Sequence, residues 1–163
     1  MSDMKWRGAP LADRFWAKVD KSGNCWEWLA AKRPNGYGQF KLSSPKKQAS
    51  AHRVAYELTY GPIPEGMQID HRCHNVACVN PAHLRAVTPK QNIENRPGAM
   101  RNSKSGICGV SKHHKYNTWT ATVGHEYRLI RLGSFRSPEE AEAAVIAKRL
   151  ELHTHNDADR SAA

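Results

Sequence analysis

The sequence predicts an α+β chain of two small domains, and three observations predict it. Short runs of β-formers with alternating character recur along the chain. Helix starts are marked by a capping residue followed by proline, at Asn80-Pro81, Thr88-Pro89 and Ser137-Pro138. A stretch without apolar periodicity, residues 97–104, separates a first unit that ends strand, loop, strand, helix from a second that reads as three strands and a helix. At 163 residues the chain holds one ordinary domain or two small ones with modest cores.

Leu11, Phe15 and Val19 recur every four residues, which predicts an amphipathic helix over residues 10–19. Residues 25–28 (Cys-Trp-Glu-Trp) and 37–40 (Tyr-Gly-Gln-Phe) read as strands of a hairpin joined across residues 33–36, whose Asn35-Gly36 pair suits a turn with positive φ. Ser50 is a candidate N-cap for a helix that runs to about Tyr60 and stops at Gly61-Pro62. A short strand is expected over residues 66–71, then a brief turn from Pro81, a strand over 84–87 and a helix from Pro89. Beyond the linker, strands over 107–113, 118–123 and 127–132 fit a three-stranded antiparallel sheet. Ser137-Pro-Glu-Glu140 is a capping box opening an Ala-rich helix to about Leu152, whose small residues permit close approach to the sheet. The residues after His153 are polar and expected to fray.

The net charge of +10 is unevenly distributed. Residues 1–53 hold 11 Lys/Arg against 4 Asp/Glu, residues 54–100 hold 4 against 4, and residues 101–136 hold 7 against 1. Two basic regions thus flank a neutral centre, an arrangement that holds a polyanion by releasing its counterions. No long apolar run predicts a membrane span or secretion signal, so the chain is expected in a reducing cytoplasm, where its cysteines serve as metal ligands or buried thiols rather than disulfides.

Asp70-His71, on a strand entering a loop, suits phosphodiester hydrolysis. A histidine with an ordinary pKa of about 6.5 takes a proton from water, and the neighbouring carboxylate is a hard oxygen ligand for Mg²⁺. Asn92, early in the helix from Pro89, is the candidate second oxygen ligand.

Together, Asp70-His71, Cys73, Cys78, residues 80–84 (Asn-Pro-Ala-His-Leu) and Asn92 resemble the HNH (ββα-metal) homing-type endonucleases of phages. The likeness extends upstream through residues 25–28, 36–38, His52-Arg53 and 61–66. It implies a small ββα-metal nuclease domain over 1–96 with its motif core at 66–96. His71 would be the general base, Asp70 and Asn92 ligands of Mg²⁺ or Mn²⁺, and the products would carry 5′-phosphate and 3′-hydroxyl ends. His83, at the middle motif position, is open between orienting the base and ligating a metal, and Asn80 between capping and the nominal Asn role. Cys73 and Cys78, with His83 and completed by Cys25 or His52, are the candidate structural Zn²⁺ ligands. Two buried thiols packing the loop are the alternative.

In the second unit, residues 105–110, 119–123, 131–135 and 139–144 resemble the DNA-binding domain of the APETALA/ethylene-response-factor family, placing such a domain at 105–155 with a tail at 156–163. That resemblance implies a sheet face in the major groove, with Lys112, His114, Lys115, Trp119, Arg128 and Arg131 as candidate contacts. Arg128 and Arg131 are three apart and face opposite sides of a regular strand unless a bulge intervenes. Trp119 serves as either core or contact. The expected partner is double-stranded DNA, bound by a monomer or homodimer in the host cytoplasm if the chain is phage-encoded. The competing reading is a non-catalytic, sequence-specific DNA-binding regulator on a nuclease-derived scaffold.

Overall fold

The computed structural model describes residues 10–42, 48–126 and 128–162. Residues 1–9 and 43–47 of the expected first domain, Tyr127 of an expected strand and Ala163 of the expected tail lie outside the described residues. The chain divides into two compact units, Met1–Pro89 and Lys90–Ala163.

The first unit begins with α1 (Leu11–Trp16), followed by β1 (Val19–Asp20), β2 (Glu27–Trp28), β3 (Gln39–Lys41), β4 (Gln48–Ser50) and α2 (Ala51–Tyr60). Next come β5 (Gln68–His71), one 3-10 turn (Pro81–His83) and β6 (Leu84–Val87); α3 (Pro89–Glu94) starts at the unit's last residue. The first helix is shorter than its periodicity suggests, because Val19 is used in β1, paired with Trp28.

The expected hairpin is a correction. The turn forms, with Gly36 at φ 85 and its N–H donating to the Arg33 carbonyl at 2.9 Å, but its arms share only the Lys32–Gly38 bridge. Instead β2 pairs with β1, and β3 with β4. The aromatic core explains the separation. Phe15 stacks on Trp28 at 5.0 Å and meets Phe40 edge-on at 5.2 Å, so the two strands contribute to one cluster from different ribbons. Gly38 lies so close to the Trp28 ring that a Cβ there would approach Cδ1 to 2.6 Å.

Helix α2 starts after Ser50 and ends at Gly61, whose φ of 90 lets its N–H reach the Glu57 carbonyl. Its buried face, Ala51, Val54 and Ala55, joins Phe15, Trp28, Phe40, Ile69, Val79 and Leu84 in the core. Strands β5 and β6 pair antiparallel with Asp70 opposite Arg85 and His71 opposite Leu84. Between them Asn80 caps the 3-10 turn by accepting the Ala82 N–H at 3.1 Å, with Pro81 in the first helical position.

The second unit contains β7 (Val110–Lys112), β8 (Trp119–His125), β9 (Arg128–Phe135), α4 (Pro138–Leu152) and α5 (Asp157–Ala162). The three strands form one antiparallel sheet in the order β7-β8-β9, with α4 packed against it, as the sequence predicts. Ser137 accepts the Glu140 N–H and Glu140 reaches back to the Arg136 N–H, which starts α4 at the predicted residue. Ala141 and Val145 seal it onto Val110, Ala121 and Val123.

The end of the chain departs from expectation. The residues after His153 form a docked helical turn rather than a frayed tail, because α4 has buried polar groups to satisfy. Arg149 pairs with Asp159 at 3.2 Å, Asn156 is fully buried, and the Asn95 side-chain oxygen accepts the Asp157 N–H at 3.0 Å. No helix among the described residues is long and apolar enough to cross a membrane.

Candidate active site and thiol cluster

Asp70 and His71 end β5 as buried polar residues, 7% and 5% exposed. The strand carries them into the core, so each needs a defined partner. His71 Nε2 lies 3.0 Å from the Cys78 carbonyl. A carbonyl only accepts, so Nε2 carries the proton and Nδ1 of the neutral ring carries the lone pair. Burial holds the imidazole below its ordinary value of 6.5, against the raising effect of the Cys78 carbonyl. The ring is stacked obliquely with His52 at 4.9 Å and Tyr37 at 5.9 Å. His52 itself is pushed down to about 3, first by burial and then by the His71, Arg53 and Arg33 charges.

Asp70 Oδ2 accepts both Nε and Nη2 of Arg85, at 3.0 and 2.9 Å. The cross-strand register makes this pair, since Arg85 sits directly opposite on β6. Sequence reasoning missed Arg85. The signal available was its position in the expected strand over 84–87, facing the Asp70 strand.

Cys25, Cys73, Cys78 and His83 converge on one point, their ligand atoms all within 4.8 Å of one another, and this cluster can hold a metal ion. His83 Nδ1 lies 3.7 Å from Cys25 Sγ and 3.6 Å from Cys78 Sγ. Around zinc, sulfur at about 2.3 Å and nitrogen at about 2.0–2.1 Å define a tetrahedral edge of about 3.6 Å, so the donor set and spacing fit. The Asn80 N–H reaches Cys78 Sγ at 3.4 Å, an outer hydrogen bond that suits a ligating thiolate. The crowded thiols do not ionise together. Cys73 is held down to about 5 by hydrogen bonding from the Cys78 thiol, while Cys78 is pushed up by the Cys73 sulfur and Cys25 by burial. Cys25 is the upstream member of this cluster, and His52 lies instead against His71 and Tyr37. His83, left between two roles by the sequence, has its ring among the thiols. Asn92 lies on α3, beyond the division between the units.

Residues 49–93 match the family model described as HNH endonuclease. This segment is similar to an HNH endonuclease domain. It spans Asp70, His71, Cys73, Cys78, His83 and Asn92. The chain is 38% identical to "Protein 7.7" of Escherichia phage T7 over 81 residues, half of this chain and 61% of that protein. It is 39% identical to "Protein 2.8" of the same phage over 87 residues, 53% of this chain and 58% of that protein. A protein described as an uncharacterized HNH endonuclease, from Acanthamoeba polyphaga mimivirus, is 28% identical over 113 residues, covering 68% of this chain and 56% of its own length. The chain thus spans about three fifths of the relatives it matches. No solved structure matches.

In the second unit Trp119 is half-buried, packs on the core and lies beneath Lys112, whose Nζ is 5.7 Å from the ring centroid. Lys112, His114, Lys115 and Trp119 line one groove of about 790 Å³, together with Lys104 and His113. Arg128 and Arg131 are exposed on β9. The register irregularity falls between Ala121 and Thr122, where the partner skips from Gly133 to Arg131. It lies outside the 128–131 segment, whose pairing is regular, so the two arginines face opposite sides of the sheet.

Proposed function

We propose that the chain is a metal-dependent DNA endonuclease whose HNH domain hydrolyses phosphodiester bonds, directed to DNA by its second unit. The observation that carries this reading is His71 beside Asp70 at the end of β5, both buried, with the His71 ring held by its Nε2 on the Cys78 carbonyl. A ring so held suits removal of a proton from an attacking water. Asp70 would hold Mg²⁺ or Mn²⁺, which when bound neutralises the phosphoryl oxygens and assists the leaving oxygen. Asp70 is the right donor type for such an ion, and the Arg85 fork keeps its carboxylate in one orientation.

Cys25, Cys73, Cys78 and His83 would bind structural Zn²⁺, fixing the loop that presents the Cys78 carbonyl to His71. Lys112, His114, Lys115 and Trp119, gathered in one groove, support a nucleic-acid contact surface in which cations meet phosphates around an aromatic ring. Arg128 and Arg131 face opposite sides of β9, so one of them would extend it as a phosphate contact.

The test is conversion of supercoiled plasmid by the full chain with Mg²⁺, with EDTA, and with Asp70→Asn under the Mg²⁺ condition. Relaxed or linear product requiring both metal and Asp70 is expected. DNA retarded on a gel but uncut under every divalent metal replaces this reading with a non-catalytic DNA-binding regulator.

A further inference from the structure

The second unit contains a cluster that the nuclease reading does not use. Glu94 ends α3, His125 ends β8, and His153 caps α4, and their ligand atoms lie within 4.8 Å of one another. Glu94 and His153 are buried, 6% and 8% exposed. Nδ1 of His125 and Nδ1 of His153 are both buried and make no hydrogen bond among the described residues. Two such nitrogens beside one buried carboxylate need an explanation, because each unpaired buried polar atom carries a desolvation cost.

The geometry points to a second, thiol-free site for a zinc-class divalent cation, formed by Glu94, His125 and His153. Orientation by outer hydrogen bonds favours it. His153 Nε2 lies 3.1 Å from the Gly124 carbonyl, so it carries the proton and leaves the Nδ1 lone pair for a ligand. Glu94 Oε2 accepts the Thr154 N–H at 3.1 Å, the Thr154 hydroxyl at 3.3 Å and the His155 N–H at 3.4 Å. Those bonds fix the carboxylate, and its other oxygen meets Lys90 only at 3.9 Å. Ligating imidazoles commonly donate their second ring N–H to a carbonyl, and ligating carboxylates are themselves hydrogen-bonded; both features are present.

Ligand chemistry selects the ion. Two imidazoles and one carboxylate suit Zn²⁺, Co²⁺ or Ni²⁺, whereas Mg²⁺ keeps oxygen donors. Nitrogen and oxygen ligands at about 2.0–2.2 Å from zinc place the three atoms within reach of one ion, with a fourth position for water. The ion would clasp α3 to the end of β8 and the C-terminal cap of α4, three elements distant in sequence. The helix so held is the one carrying Asn92. This site is independent of the nuclease reading and of the thiol cluster.

The experiment titrates the metal-free chain with Co²⁺ and Zn²⁺ in Mg²⁺-free buffer, comparing wild type with His125→Gln and Glu94→Gln. Bound equivalents are counted by elemental analysis and the Co²⁺ spectrum recorded. Each variant is expected to bind one equivalent fewer than wild type. The lost Co²⁺ should remove weak visible bands and leave any sulfur-to-cobalt charge-transfer band unchanged. His125 is the more open of the two histidines, with 21% side-chain exposure, so His125→Gln carries the test if Glu94→Gln does not fold. Equal equivalents in wild type and folded His125→Gln, or loss of the sulfur-to-cobalt band instead, overturns the proposal.

Discussion

The carbonyl oxygen of Cys78 lies 3.0 Å from Nε2 of His71, and the sulfur of the same Cys78 lies 3.6 Å from Nδ1 of His83. One residue therefore joins the proposed base to the proposed zinc site, so the order of the thiol cluster sets the orientation of His71. Stripping metal with a thiol-directed reagent plus chelator is expected to lower the Tm of the first unit. Nicking should fall with it and return when Zn²⁺ is restored. Calorimetry with metal counting checks this; an unchanged Tm after metal loss contradicts it.

Arg85 is predicted to matter through Asp70. Both its Nε and Nη2 donate to the buried Asp70 Oδ2, so Arg85→Ala removes a charge-assisted fork from a buried carboxylate. The expected destabilisation is on the order of 3 kcal/mol. Mg²⁺ held by Asp70 as proposed would replace the lost positive charge, so it should raise the Tm of Arg85→Ala more than that of wild type. Thermal melts with and without Mg²⁺ decide, and equal Mg²⁺ shifts would count against Asp70 as a metal ligand.

His52 should give the fold an acid sensitivity. It is held down to about 3 in the folded state by burial, while the unfolded chain takes up the proton near 6.5. Between those values the unfolded state binds more protons, so stability is complete above about 6.5 and falls as the pH drops toward 3. Denaturant melts of wild type and His52→Asn across this range should show a shallower pH slope in the variant. Parallel slopes would remove His52 as the cause.

In the second unit, Lys112 and Lys115 are predicted to contact phosphates. Each alanine substitution should weaken duplex binding across sequences and reduce the magnitude of the slope of log K against log salt by about 1. Fluorescence titrations at several salt concentrations read this directly. An unchanged slope in both variants would place DNA elsewhere on the chain.

Much of this organisation was legible in the sequence because it is local. Asn80-Pro81, Thr88-Pro89 and Ser137-Pro138 are capping chemistry, and the structure starts a helical turn or helix at each. Strand pairing was less legible. Nothing local in residues 25–40 reveals that Trp28 and Phe40 belong to different ribbons, since that depends on Val19 and Ala49 as partners. Likewise the docked end of the chain depends on Arg149 and Asn95 seeking partners far along the sequence. Cys73, Cys78 and His83 suggested a cluster by spacing, whereas Glu94, His125 and His153 are separated by whole elements and are united only by the fold.

The most direct measurement of the central claim is chemical rescue at position 71. His71→Gly, verified as folded by circular dichroism, is expected to nick supercoiled plasmid with Mg²⁺ about 10²–10⁴-fold more slowly than wild type. Added imidazole should restore part of that rate, with a dependence on the fraction of neutral imidazole. A folded His71→Gly that nicks at the wild-type rate without imidazole would contradict the account.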